Sequence, residues 1–308
     1  MHAHWKELTV CPMEPEQINA SAVREADVLI VRTRTKVDAQ LLADSSVKMV
    51  CTATIGFDHI DTAWCEAHGV HWISCPGCNA QAVCDYIEEA IEEYLTAKRS
   101  YNKAVLQQSG LYMGVVGVGH VGSLVAKMAE RKGMHVLLND PPKGIGVSLD
   151  EIAKNCDIIT FHVPLDNSTR HLCDEAFLKK CKPSALIINA ARGGVVDEQA
   201  LLRSGHPFIL DTWEGEPHIN PAVVNKAFRA SMHIAGYSVE GKRNASQMCL
   251  DAISKAFSLQ RIDISECRYI DPSGKQTDSS PGWLSRISDA LKAAPASFET
   301  LRKTYPLR

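Results

Sequence analysis

The run Gly114-Val-Val-Gly117-Val-Gly119-His120-Val121-Gly122, followed by Asp140, constrains this chain more than any other feature. An apolar run leads into spaced glycines, then into apolar residues at Val121, Leu124, Val125 and Met128 that end at Gly133. That order predicts strand, tight turn and helix. Gly117 permits the turn, Gly119 lets the backbone approach a pyrophosphate, and Gly122 lets helix and strand pack closely. The helix N-terminus, with His120 and Val121 in its first turn, offers free N–H groups and a positive dipole end to that anion. A second strand over 134–139 ends at Asp140, 18 residues past the last glycine. A carboxylate there accepts both ribose hydroxyls of NAD and repels the extra phosphate of NADP. The expectation is therefore dinucleotide binding, with an ordinary glycine-rich turn of an α/β sheet as the alternative.

The same rhythm runs through most of the chain. Strands are expected at 28–32, 47–52 and 70–74 before the glycine loop, and at 157–161, 185–189, 208–210 and 232–235 after it. Between the two sets, Val83, Tyr86, Ile87, Ala90, Ile91, Tyr94 and Leu95 share one helical face, with Glu88, Glu89, Glu92 and Glu93 on the other. Ser148-Leu-Asp-Glu151 reads as a capping box. A helix is expected over 244–260 with Asn244 as its N-cap, then a polar, turn-rich stretch over 271–282 and weak helical periodicity over 283–308. Strand–helix alternation of this kind means α/β with parallel sheets.

At 308 residues, one domain of ordinary size would be unusually large, so two are expected. A net charge of −3 and a pI near 6.5 argue against a nucleic-acid or anionic-membrane partner, which would want a basic stripe. The N-terminal residues lack the apolar core of a signal peptide, and no apolar run approaches the roughly 20 residues of a membrane helix. Cytoplasm is the default. The eleven cysteines are odd in number and mostly set in apolar segments, which suits reduced, buried thiols. Cys75-Pro-Gly-Cys78 has the spacing of a redox pair or half a zinc site, but no second pair accompanies it. A turn explains it better, so no metal is expected.

Three polar residues stand just past strand ends, the edge where open parallel sheets bind ligands. Arg192 lies after the 185–189 strand and before two glycines, and its planar fork of donors suits a carboxylate. A surface or ion-paired arginine is the plainer reading of that residue. Glu216 is held by Pro217 in Asp211-Thr-Trp-Glu-Gly-Glu216-Pro217, with Glu214 as a competitor and a solvated loop carboxylate as the plainer reading. His233 lies in Met232-His233-Ile-Ala-Gly236-Tyr237, where a satisfied strand-end histidine is the plainer reading. Together they supply what hydride transfer at a hydroxyl-bearing carbon requires. An imidazole takes the hydroxyl proton, a carboxylate orients and stabilises it, and a guanidinium clamps the anion.

These motifs resemble the NAD-dependent D-isomer-specific 2-hydroxyacid dehydrogenases. The matching runs are Val31-Arg-Thr-Arg-Thr-Lys-Val37, Thr52-Ala-Thr-Ile-Gly-Phe-Asp-His-Ile-Asp61, Cys75-Pro-Gly-Cys-Asn79, Asn139-Asp-Pro-Pro142, Asp211-Thr-Trp-Glu-Gly-Glu-Pro217 and His233-Ile-Ala-Gly-Tyr-Ser-Val-Glu-Gly241. The resemblance covers about 24–260, with a weaker echo at 297–308. It implies a Rossmann-type doubly wound parallel sheet over 93–238. It also implies a flavodoxin-like substrate domain over 1–92, completed by 239–265, and a C-terminal segment over 266–308 for homodimerisation. By the same resemblance Arg192 binds the substrate carboxylate, Glu216 supports the histidine and His233 moves the proton. Thr33, Thr54 and Tyr237 fall on substrate positions. Asp140, Val163, Ala190, Ala191, Asp211 and Gly236 join Gly117, Gly119, His120, Val121 and Gly122 on cofactor positions.

The implied substrate is a small phosphorylated 2-hydroxy acid, oxidised with NAD. Arg32, Arg34 and Lys36 are candidates for its phosphate, or a solvated basic face. Other 2-hydroxy acids, and an NAD-binding interaction protein on the same scaffold, are the alternatives. Family members carry a further strand and helix before the region matching Glu7, so a substrate domain short of its first strand is expected. Val163 stands where the family usually has threonine and Met232 where it has proline, and the stretches around 203–207 and at the C-terminus look shortened.

Overall fold

The computed structural model describes residues 9–101, 110–267, 280 and 282–307. The boundary at Glu7, most of the polar 271–282 stretch and Arg308 lie outside the described residues. The described residues of Met1–Asn79 and Ser238–Pro272 form one compact unit, and those of Ala80–Tyr237 and Ser273–Arg308 a second. The helix Ala80–Tyr101 thus belongs whole to the second unit, whereas the sequence reading divides the chain near residue 92. The physical reason is its inner face. Tyr86, Ile87, Ile91 and Leu95 are almost wholly buried in the second unit's core. Each such side chain contributes on the order of 2 kcal/mol by leaving water.

In the first unit three short parallel strands, β1 (Val28–Val31), β2 (Met49–Thr52) and β3 (His71–Ile73), pair in that order. β2 is central and buried on both sides, which is why it reads as a continuous apolar run. Its alternating side chains separate two small cores. Val50 joins Val23, Leu29, Val31 and Leu41, whereas Met49 and Cys51 meet Cys75, Cys249 and Ile253. The latter two come from the helix Val239–Ala256. This helix starts earlier than the expected 244. The Ser238 hydroxyl caps it by accepting from the Gly241 N–H, and the Asn244 side chain instead donates to the Cys78 carbonyl. Charged Glu240, Lys242 and Arg243 fill the first turns, so apolar periodicity does not mark the start.

The second unit is built on seven strands: β4 (Tyr112–Val116), β5 (His135–Asp140), β6 (Ile145–Gly146), β7 (Ile158–Phe161), β8 (Leu186–Asn189), β9 (Phe208–Leu210) and β10 (Arg229–Ala230). Their order is β10-β9-β8-β7-β4-β5-β6. All neighbours are parallel except the two-residue edge strand β6, which runs antiparallel to β5. The chain winds outward from β4 in both directions, so the order reverses between β4 and β7. That is the crevice where doubly wound sheets hold a dinucleotide.

The expected strand at 232–235 is absent, and the last strand is β10 instead. The Ser231 and His233 N–H groups still bond the Leu210 and Asp211 carbonyls, but those of Ile234 and Ala235 go to the Asp211 carboxylate at 2.8 and 2.9 Å, so the ladder ends there. β10 would be a bare edge, but the helix Trp283–Ala293 packs against it. Ser288 Oγ accepts the Ala230 N–H at 3.0 Å. Trp283, Leu284, Leu291 and Phe298 enter the main core, so the C-terminal residues are part of this unit.

Candidate active site

At the crevice the glycine loop does what its spacing requires. Gly117 sits at φ +90° at the turn after β4. A Cβ on Gly122 would come within 1.9 Å of the Gly117 carbonyl oxygen, so only glycine lets the helix His120–Arg131 start this close to the strand. Gly119, the N-cap of that helix, has no atom within 4 Å of where a Cβ would sit. Packing does not demand glycine there, and its backbone is left bare at the positive end of a helix, a fit for a pyrophosphate. His120 is exposed and Val121 half-buried behind it. Asp140 ends β5 with one carboxylate oxygen accepting the Val118 N–H at 2.8 Å. The other oxygen makes no hydrogen bond among the described residues, as a ribose partner requires.

Lys143, which sequence reasoning passed over, closes the same loop. Its Nζ donates to the Val118 carbonyl at 2.8 Å and lies 3.5 Å from Asp140. Val163 follows β7, next to His162, whose carbonyl oxygen faces Gly117 across the reversal point. The His162 imidazole lies 3.1 Å from Thr160 Oγ1, and burial pushes its pKa down to about 3, so the ring is neutral.

Arg192, Glu216 and His233 follow β8, β9 and β10, three neighbouring strands, and so stand along one edge of one sheet. Asn189, at the end of β8, pins the Arg192 loop. Its side chain donates to the Arg192 carbonyl and accepts the Ala191 N–H. Gly193 then lets this loop touch the next one, since a Cβ there would lie 1.8 Å from the Trp213 carbonyl oxygen. Ala190 and Ala191 line the turn, half-buried. The half-buried Arg192 guanidinium donates only to its neighbour's carbonyl, Ala191, among the described residues, and makes no bond to Glu216 or His233.

Glu216 and His233 are in direct contact. His233 Nδ1 lies 2.8 Å from Glu216 Oε2, while Glu216 Oε1 accepts the Trp213 N–H at 2.8 Å. Burial alone would raise the pKa of this carboxyl. The hydrogen bond from His233, its charge, the Trp213 N–H and the Arg302 charge outweigh burial and hold the pKa below the ordinary range. An ionised carboxylate only accepts, so Nδ1 carries a proton and Nε2 is left to exchange one. His233 adopts φ +57°, a conformation rare for a side-chain-bearing residue. Asp211 enforces it by accepting the Ser231 hydroxyl at 2.6 Å and the two N–H groups after His233. The Asp211 carboxylate is thus spent on the loop that carries the histidine. Gly236 and Tyr237 follow on that loop, half-buried.

Glu214, the competitor, faces elsewhere and bonds His171 Nε2 at 2.9 Å. Its N–H goes to the buried Glu198 carboxyl at 2.6 Å. No sequence signal links Glu198 or His171 to this edge, because each is brought there by chain crossings, whereas Asn189 ends the expected strand but has no mark of its role as the pin of the Arg192 loop.

Thr33 and Thr54 belong to the first unit. Thr33 is exposed in the turn after β1, and Thr54 Oγ1 donates to the Gly56 carbonyl at 2.8 Å and lies 2.6 Å from Thr52 Oγ1. Of the three nearby cations, Arg34 faces Glu16 at 3.7 Å and Lys36 pairs with Asp38 at 2.8 Å. Cys75 and Cys78 are buried free thiols. Cys75 Sγ lies 3.6 Å from Cys249 Sγ, and burial pushes the Cys78 thiol up to about 11. Among the described residues no group of three or more His, Cys, Asp or Glu is arranged to hold a metal ion. No helix among them is long and apolar enough to cross a membrane.

Comparison with known proteins agrees with this geometry. Residues 82–245 match the family model described as D-isomer specific 2-hydroxyacid dehydrogenase, NAD binding domain. The erythronate-4-phosphate dehydrogenase of Bacteroides fragilis is 41% identical over 93% of this chain and 86% of that protein. The protein of the same name from Coxiella burnetii is 36% identical over 92% and 82%. Among solved structures, the D-lactate dehydrogenase of Aquifex aeolicus, complexed with NAD and lactic acid, superposes with a TM-score of 0.64 at 25% identity. It covers 79% of this chain and 86% of that one. A glyoxylate reductase from Paecilomyes thermophila superposes at 0.63 with 27% identity, covering 79% and 84%. With a Rossmann-type sheet, a glycine-rich loop after β4 and a histidine–carboxylate pair at its edge, the chain belongs to the D-isomer specific 2-hydroxyacid dehydrogenase family, grouping with the erythronate-4-phosphate dehydrogenases.

Proposed function

We propose that the protein oxidises 4-phospho-D-erythronate to (R)-3-hydroxy-2-oxo-4-phosphooxybutanoate with NAD, a step toward pyridoxal 5′-phosphate. The observation that carries this reading is the His233–Glu216 pair at 2.8 Å on the edge of a dinucleotide-type sheet. NAD, when bound, supplies the redox chemistry by accepting a hydride from the carbon that bears the hydroxyl. The protein's own residues do the rest. His233 Nε2 takes the proton of the 2-hydroxyl, and the imidazolium so formed is stabilised by the Glu216 carboxylate on Nδ1. Arg192 offers its guanidinium to the substrate carboxylate. The bare backbone at Gly119 and the free oxygen of Asp140 support a pyrophosphate and a ribose. Thr33 and Thr54 are read as substrate positions by the family resemblance alone. The names of the relatives favour the phosphorylated C4 acid over other 2-hydroxy acids. The reading carries with it a cytoplasmic location and a homodimer, the latter tested by light scattering on the purified protein. For the reaction, purified protein is assayed for NADH formation with 4-phospho-D-erythronate, 3-phosphoglycerate and glycolate. Preference for the first by about tenfold or more in kcat/KM is expected, and equal or better turnover of 3-phosphoglycerate overturns the substrate assignment.

A further inference from the structure

The short C-terminal helix Phe298–Thr304 meets the histidine loop at Tyr237, where Arg302 Nε donates to the phenolic oxygen at 3.0 Å. A guanidinium has only donors, so the direction of this bond is fixed and Tyr237 accepts. A phenol holds a single proton. With Arg302 on its oxygen, that proton is left for a third group, and that group has to be an acceptor. Among the described residues the Tyr237 hydroxyl has no such acceptor. Bonding to a cation also polarises the O–H and makes it a stronger donor.

The geometry is held from both sides. Tyr237 closes a turn by donating its N–H to the Ile234 carbonyl at 2.8 Å, four residues after His233. Arg302 is mostly buried, with 23% of its side chain exposed, and its Nη1 is 3.7 Å from Glu299, beyond hydrogen-bond distance. Its charge also reaches Glu216. We propose that Arg302 is a positioning residue that fixes Tyr237 as a dedicated, polarised hydrogen-bond donor to an anionic oxygen of the substrate. The C-terminal helix is then part of the substrate site. This rests on the dehydrogenase reading above, and the anionic oxygen belongs either to the substrate's carboxylate or to its phosphate.

The test is a double-mutant cycle of Arg302→Met and Tyr237→Phe, with Arg302→Lys, assayed by steady-state kinetics after wild-type turnover is established. Each single change is expected to raise the KM for the acid about 10- to 100-fold, the worth of one hydrogen bond to a charged group. kcat and the KM for NAD should stay within about threefold. The double variant should be no worse than the worse single, because both remove one donor. Arg302→Lys should recover part of the loss. Repeating the cycle with D-erythronate separates the two sources: the loss persists if the oxygen belongs to the carboxylate and vanishes if it belongs to the phosphate. Lys303→Ala, an exposed position on the same helix, controls for the fold. If Arg302→Met does not fold, Arg302→Lys and Tyr237→Phe complete the cycle. An active wild type whose Arg302 variants keep the KM within twofold, or whose losses multiply with Tyr237→Phe, overturns the proposal. An inactive wild type refutes the dehydrogenase reading instead.

Discussion

Replacing Glu198 by glutamine is expected to stabilise the protein, and only above mildly acidic pH. Glu198 is 5% exposed, and its Oε1 accepts the Glu214 N–H at 2.6 Å beneath the loop that carries Glu216. Burial raises its pKa from 4.5 to about 7, the Glu214 N–H offsets part of this, and the charges of Glu214, Glu216 and Asp197 add to it. The folded protein therefore holds this proton up to about pH 7, whereas the unfolded chain releases it near pH 4.5. Between those values the native state binds more protons, so stability falls as pH rises across that window and stays lower above it. A shift of about 2.5 units at roughly 1.4 kcal/mol each costs about 3 kcal/mol at most. Glutamine keeps the oxygen that accepts from Glu214 and cannot ionise. Glu198→Gln should thus gain up to about 3 kcal/mol above neutral pH, or roughly 6–12 °C in Tm for a unit of this size, and almost nothing near about pH 4.5. Thermal melts of both proteins between about pH 5 and pH 9 measure this. Parallel Tm curves, or a variant that loses stability as pH rises relative to wild type, would refute the reasoning.

Other outcomes follow from the same geometry. Glu216→Gln keeps the shape but loses the charge that stabilises a protonated His233, and should cut kcat by about 10²-fold or more with little change in the KM for NAD. Because Glu216 is held below the ordinary carboxylate range, any acid limb of kcat/KM that its protonation causes should lie below about pH 4.5. An acid limb assigned to Glu216 near neutrality would contradict the pairing. Arg192→Lys removes the bidentate fork and should raise the KM for the acid about tenfold or more while leaving the KM for NAD alone. Asp140→Ala should raise the KM for NAD by about tenfold and narrow its advantage over NADP, as fluorescence titration with both cofactors would report.

Much of this was legible in the chain because it is local. The glycine spacing, the apolar face from Val83 to Leu95 and the Ser148–Glu151 capping box each rest on neighbours a few residues apart. What sequence missed is held by distant partners. Residues 232–235 have the composition of a strand, but Asp211, more than twenty residues earlier, takes the N–H groups of Ile234 and Ala235 and ends the ladder at the His233 loop. Pro217 and the family resemblance favour Glu216 over Glu214, but no contact in the sequence separates the two carboxylates. The crossing that brings His171 to Glu214 and His233 to Glu216 gives each its partner. Arg302 is 65 residues from Tyr237, in a segment whose periodicity is too weak to place it. The edge strand β6, two residues long, is too short to leave a pattern.

Steady-state NADH formation from 4-phospho-D-erythronate by the wild-type protein and by His233→Ala tests the central claim most directly. The wild type is expected to turn over, and the variant to lose about 10²- to 10⁴-fold in kcat while still binding NAD. A wild type that binds NAD but forms no NADH with any 2-hydroxy acid, or a variant as active as wild type, would contradict it.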